Sequence, residues 1–114
     1  MYEEKRKLIE GLLTILEIEG RKFSLLPKEK VESYGEEEDA IILQEVIRDD
    51  GKEKELRLYI SPGAKIKMHK HIDDWEEYFM ANGTRLVCQK GESHSFANPF
   101  MDRWYVLKAI KHKD

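Results

Sequence analysis

Cysteine is almost missing from this 114-residue chain. Cys88 is the only one, which excludes an internal disulfide and any cysteine-rich zinc site. No run of 18 apolar residues occurs, so no membrane-spanning helix is expected. Neither sign of charge dominates: 20 Lys and Arg stand against 23 Asp and Glu, for a net charge of −3. That balance argues against a dedicated nucleic-acid binder. With only 3 prolines and 7 glycines, collagen-like and low-complexity chains are excluded. There is no phosphate-cradling G-x4-GK-[ST], no G-x-G-x-x-G, no G-x-S-x-G and no HExxH. Ser93 and Ser95 flank His94, but strand neighbours point to opposite faces, so neither makes a catalytic triad with it. Lys5-Arg6-Lys7 before Leu8-Ile9 imitates the start of an export signal. Glu3, Glu4 and Glu10 interrupt it, and no small-residue cleavage site follows. One free thiol and no export signal make the reducing cytoplasm the expected compartment.

Hydrophobic residues make up 40% of the chain, enough for one core, and the length suits a single domain over residues 1–114. Leu8, Ile9, Leu12, Leu13 and Leu16 recur at helical spacing and predict a helix over residues 2–13. From Thr14 the pattern turns to alternation, so short edge strands are expected up to residue 26. Residues 27–39 are polar and read as a loop or edge segment, with Glu36-Glu37-Glu38-Asp39 as a solvated face. Residues 40–110 read as β. Strands are expected over 40–48, 56–60, 65–71, 75–80, 84–88, 93–97 and 103–110, separated by Asp50-Gly51, Pro62-Gly63, Asn82-Gly83 and Gly91 turns. Short strands at this spacing predict an all-β sandwich or small barrel.

Three of the four histidines, His69, His71 and His94, lie within this β region. On a strictly alternating strand His69 and His71 share a face with Lys65 and Lys67, opposite Ile66 and Met68. They are expected about 7 Å apart along the strand. Two imidazoles so placed can reach one ion, and Glu76 at the start of the next strand can add a carboxylate. Two His and one carboxylate with open positions form the facial site of mononuclear non-haem iron.

This spacing resembles the cupin superfamily. Its first motif is G-x5-H-x-H-x3-4-E-x6-G. Gly63, His69, His71, Glu76 and Gly83 match every specified position. Its second motif is G-x5-P-x-G-x2-H-x3-N. Gly91, His94 and Asn98 match the latter half, while Gln89 stands at the proline position. The resemblance covers residues 63–98. It implies a cupin jelly roll in which His69, His71, Glu76 and His94 bind one divalent metal ion: iron, manganese, nickel or zinc. It also implies that the His-x-His strand pairs with the strand of the last His, and the Glu strand with the strand leading into the second motif. The hairpin that separates the two motifs in most cupins is absent. Asn82-Gly83 is expected to join its flanking strands by a type I′ turn. One sheet is then shorter and keeps an exposed edge, so either a homodimer or the N-terminal helix is expected to cover the gap.

Around that core, Lys67 is a candidate for binding an anionic substrate at the rim, or a side chain that snorkels to water. Tyr78 shares the parity of Glu76 and is the candidate proton donor, or pocket filler. Phe96 shares the parity of His94 and is a candidate substrate contact. Asn98 is expected to hold a loop by backbone hydrogen bonds. Glu77 faces away unless the register slips by one. Cys88 reads as a buried small hydrophobe and His112 as exposed.

Three functional readings from different classes remain. One is a metal-dependent enzyme acting on a small molecule, of dioxygenase, isomerase or epimerase type. Another is a non-catalytic ligand-binding or sensing module. A metal-free structural dimerisation domain is a third. No nucleic-acid or membrane partner is expected. A closed, dry pocket with an oriented acid or base favours the enzyme, and an open cleft favours binding.

Overall fold

The computed structural model describes residues 2–33 and 40–113; the acidic run over 36–39 lies outside them. Helix α1 (Tyr2–Ile18) comes first. Strands β1 (Lys22–Leu25) and β2 (Val31–Ser33) follow, separated by a 3-10 turn at Lys28–Lys30. The remaining strands are β3 (Ile42–Asp49), β4 (Glu53–Ile60), β5 (Ala64–His69), β6 (Asp74–Phe79), β7 (Arg85–Cys88), β8 (His94–Ala97) and β9 (Tyr105–Lys113).

The strands form two antiparallel sheets. The larger has the order β1-β3-β4-β9-β6-β7 and the smaller β2-β5-β8. Alternation along the strands explains the core. Ile42, Leu56, Leu58, Ile60, Leu107 and Ala109 point inward from the large sheet and meet Ala64 and Ile66 from the small one. The fold is therefore all-β with two sheets around one apolar centre, as expected.

Several boundaries differ from the sequence reading. The helix runs five residues further, to Ile18. Leu8, Leu12, Ile15 and Ile18 continue one helical stripe, which outweighs the local alternation at residues 15–19. Gly20, at φ +87°, then ends the helix, its N–H donating to the Glu17 carbonyl. The helix packs against β1, at the opposite edge of the large sheet from β7, so it does not cover the shortened side.

The alternation expected over 65–71 is broken. In the β5–β8 pairing, Ile66 lies opposite Phe96 and His69 opposite His94, so β5 carries one extra residue between them. A one-residue bulge reverses parity. It lets both Ile66 and His69 face inward, and leaves Lys67 and Met68 exposed. Strand β9 extends to Lys113, beyond the expected end at Ile110. In consequence His112 is not exposed: its ring stacks on Trp75 at 3.8 Å and its Nε2 lies 2.6 Å from Glu77 Oε1.

The β6–β7 connection is a three-residue loop, not a type I′ turn. Gly83 N–H donates to the Met80 carbonyl at 3.0 Å and Met80 N–H to the Thr84 carbonyl at 2.8 Å. Gly83 has φ +89° and Asn82 does not adopt positive φ, so a type I turn is followed by a left-handed glycine. This short loop stands where a longer hairpin would add strands to the small sheet. That sheet keeps three strands, with β8 at its edge.

Asn98 has the role expected of it. It is wholly buried, and its Nδ2 lies 3.0, 3.1 and 2.8 Å from the carbonyls of Ile60, Ser61 and Arg103. Its Oδ1 accepts from Phe100 N–H at 2.8 Å. One side chain thus ties the end of β4 to the loop before β9. Asn98→Ala removes all four bonds, although the Ser61 carbonyl keeps its bond from Ala64 N–H, and is expected to cost roughly 2–4 kcal/mol. Urea denaturation checks this, and a loss below about 1 kcal/mol would contradict the clamp.

Candidate metal centre

The strand pairings bring the three motif histidines together. His94 opens β8 directly opposite His69 at the end of β5. His71 lies two residues further on, where its carbonyl accepts from Gly91 N–H at 2.7 Å, fixing this loop to the β7–β8 turn. The ring centroids of His69 and His94 are 4.3 Å apart, those of His69 and His71 4.9 Å, and those of His71 and His94 5.2 Å. One ligand atom from each ring lies within 4.8 Å of the other two. His69, His71 and His94 therefore form a triad that can hold a metal ion.

Hydrogen bonds on the far side of the rings orient them. His69 Nδ1 lies 2.7 Å from the Lys67 carbonyl, and a proton on Nδ1 leaves Nε2 as a free acceptor. His94 Nδ1 faces the Glu92 carbonyl at 3.4 Å in the same two-residues-back arrangement. The His71 pKa is lowered, chiefly by burial. Glu76 opposes that shift, while Lys111 and the other two histidines add to it. A neutral imidazole is the form a metal requires.

Glu76 is 2% exposed and sits on the inner face of β6. Its Oε2 accepts a hydrogen bond from the Tyr78 hydroxyl. Its Oε1 is buried and among the described residues has no hydrogen bond, although His71 Nε2 is 2.5 Å away. That separation is shorter than an ordinary N–H···O bond. The second oxygen of this buried carboxylate thus stands beside the imidazole cluster without a hydrogen bond among the described residues. Among the described residues, the ligand atoms that lie within 4.8 Å of one another belong to the three histidines; Glu76 is not in that group, and its second oxygen adjoins it beside His71. Glu76 reaches the triad through His71.

Tyr78 is also buried. Its hydroxyl lies 3.1 Å from His94 Nε2 as well as on Glu76. Burial, and then the Glu76 charge, hold the phenol pKa far above its ordinary range, so the hydroxyl keeps its proton. Glu77 points the other way and pairs with Arg85 at 2.6 Å and with His112. Phe96 packs against the core and the Tyr105 ring, 5.9 Å between centroids. Lys67 is exposed and borders a cavity of about 680 Å³ that opens onto His69, His71, Glu76 and Tyr78. Cys88 is half-buried beside the core.

Among the cavity residues that the sequence reading did not single out is Lys111. It lies directly across from Glu76 in the β6–β9 pairing. The signal was present: Leu107, Ala109 and Lys111 continue one alternating face. Ending the strand at Ile110 hid it.

The comparisons agree with this architecture. No protein-family model and no curated protein matches the sequence. Among solved structures, a protein described as a predicted oxalate decarboxylase from Thermotoga maritima is similar, with a TM-score of 0.57 at 16% identity. The match covers 75% of this chain and 93% of that one. A cupin domain from Bordetella pertussis Tohama I has a TM-score of 0.48 at 19% identity, covering 66% of this chain and 94% of that one. A cupin-like protein from Thermotoga maritima MSB8 has a TM-score of 0.46 at 12% identity, covering 78% and 76%. At 16% identity the likeness to the first of these structures shows a shared fold, here two antiparallel sheets around one apolar core.

Tyr78→Phe removes the hydroxyl donor of a buried carboxylate. In the presence of a chelator it is expected to lower stability by about 1.5–3 kcal/mol at pH 7. Urea denaturation measures this, and an unchanged midpoint would show that Tyr78 does not support Glu76.

Proposed function

We propose that this chain is a divalent-metal-binding small cupin, its metal held by His69, His71, Glu76 and His94, and that it is an enzyme acting on a small molecule. The observation that carries the reading is the convergence of three imidazoles within 4.8 Å beside a buried carboxylate oxygen that among the described residues has no hydrogen bond. Iron, manganese, nickel or zinc each suit nitrogen and oxygen ligands, and such an ion would supply a Lewis acid for substrate oxygens. The protein's own residues supply the rest. The Lys67 and Glu92 carbonyls orient two imidazoles. Tyr78 holds Glu76 in its rotamer and keeps a proton beside His94. Apolar Leu56, Leu58 and Ile66 exclude water from the cavity floor. Dioxygenase, isomerase and epimerase chemistry all fit this arrangement.

One observation favours the second reading, a non-catalytic binding or sensing module. The three-stranded sheet gives the site less wall than a full jelly roll, and the Tyr78 hydroxyl is already engaged by Glu76. Loss of metal would instead support a purely structural domain.

Metal analysis tests the reading. Untagged protein purified without chelator is expected to carry about one equivalent of a divalent metal, and His69→Ala/His71→Ala little. Near-zero metal in both, with no uptake on reconstitution, removes the metal assignment.

The proposed assembly is a homodimer. Among the described residues strand β8 pairs with β5 alone, and its His-Ser-Phe-Ala sequence carries no lysine, acidic residue or proline to protect the other edge. Light scattering after gel filtration is expected to give twice the chain mass. A monomer at micromolar concentration would contradict it.

A further inference from the structure

We propose that the cavity takes a small carboxylate-bearing anion, anchored by Lys111 beside the metal-holding residues. This rests on the metal-site reading above and names the substrate class of that site.

Three observations converge. The first is position. Lys111 sits on the inner face of β9, in line with Leu107 and Ala109, which are both 2% exposed. It lines the cavity directly across from Glu76. Lys111 is half-buried, and a cationic side chain facing a partly apolar cavity favours an anionic partner. Among the described residues no carboxylate forms an ion pair with it.

The second is the charge of the cavity. Lys30, Lys67, Lys70 and Lys111 all border it, against two acids, Glu29 and Glu76. One oxygen of Glu76 accepts from the Tyr78 hydroxyl, and the other lies beside His71. The whole chain carries a net charge of −3, so the excess of lysine here is local. A concave surface of one sign above a low-dielectric floor draws ligands of the opposite sign.

The third is size. At about 680 Å³ the cavity suits a small organic molecule. A carboxylate with an adjacent hydroxyl or carbonyl oxygen could chelate at the histidine end while its negative charge faces Lys111.

Lys111 could instead serve only to balance the charge of Glu76. The two roles separate in a binding experiment. The protein is reconstituted with one equivalent of Mn(II) and titrated calorimetrically with glycolate and with its neutral amide, glycolamide. The expected result is tighter binding of glycolate by the parent and a loss of about tenfold or more in Lys111→Met. Glycolamide binding and manganese stoichiometry stay unchanged, and Lys111→Arg retains most of the glycolate affinity. Lys111→Gln gives the same reading should the methionine variant fold poorly. Equal glycolate affinity in the parent and the neutral variants, with manganese retained, overturns the anchor. So does a parent that prefers glycolamide. A parent that takes up no manganese overturns the metal-site reading and this inference with it, and its metal content tells that failure apart.

Discussion

A carboxylate buried to 2% exposure sets the terms for everything around it. Taking Glu76 out of water is costly unless other groups replace its hydration. The neighbouring strands supply those groups one by one. Tyr78, two residues along the same face of β6, gives a hydroxyl to one oxygen. His71 approaches the other. Lys111 lies opposite on β9 but among the described residues forms no ion pair with Glu76. The second oxygen still has no hydrogen bond among the described residues, and that deficit makes the cluster more than a satisfied polar core. A structural network of this kind normally closes on itself. This one stays open on the side of the three imidazoles.

The backbone devices that hold the cluster are small. A single extra residue in β5 turns both Ile66 and His69 inward, giving the core its apolar contact and the site its first imidazole. The three-residue loop at Ala81-Asn82-Gly83 lets β6 return at once as β7, which brings Cys88 opposite Glu76 and sets up the turn into His94. The cost of this economy is the narrow second sheet. Three strands cover only part of the inner face of a six-stranded sheet. Leu86, directly opposite Tyr78 on the edge strand, is accordingly 47% exposed.

Much of this was legible in the sequence because strand parity and motif spacing are local signals. The fold class followed from short alternating runs and glycine turns. His69, His71 and His94 followed from their positions in those runs, and the pairing of β5 with β8 followed from the cupin resemblance. What escaped depends on information that alternation does not carry. A bulge shows no residue-type signature between Ile66 and His69, so Lys67 was expected inward. Residues 15–19 satisfy both helical and strand periods, and only the long stripe from Leu8 decides between them. The end of β9 is set by its partners: β4 and β6 flank it out to His112, and that pairing carries Lys111 and His112 into the sheet. A polar, lysine-rich tail read alone gives no hint of it.

The arrangement of the chain also bears on how the site comes into being. Its three histidines and Glu76 fall within the 26 residues from His69 to His94, and the strands between them are joined by short turns. The large sheet, by contrast, closes only when β9 pairs with β4, bringing Glu53 against His112. Loop-closure entropy and contact order both make such distant pairing the slower event. The ligand-bearing segment can therefore gather before the barrel does. An ion met at that stage would cross-link β5, β6 and β8 early and reduce the chain entropy still to be lost when β9 docks.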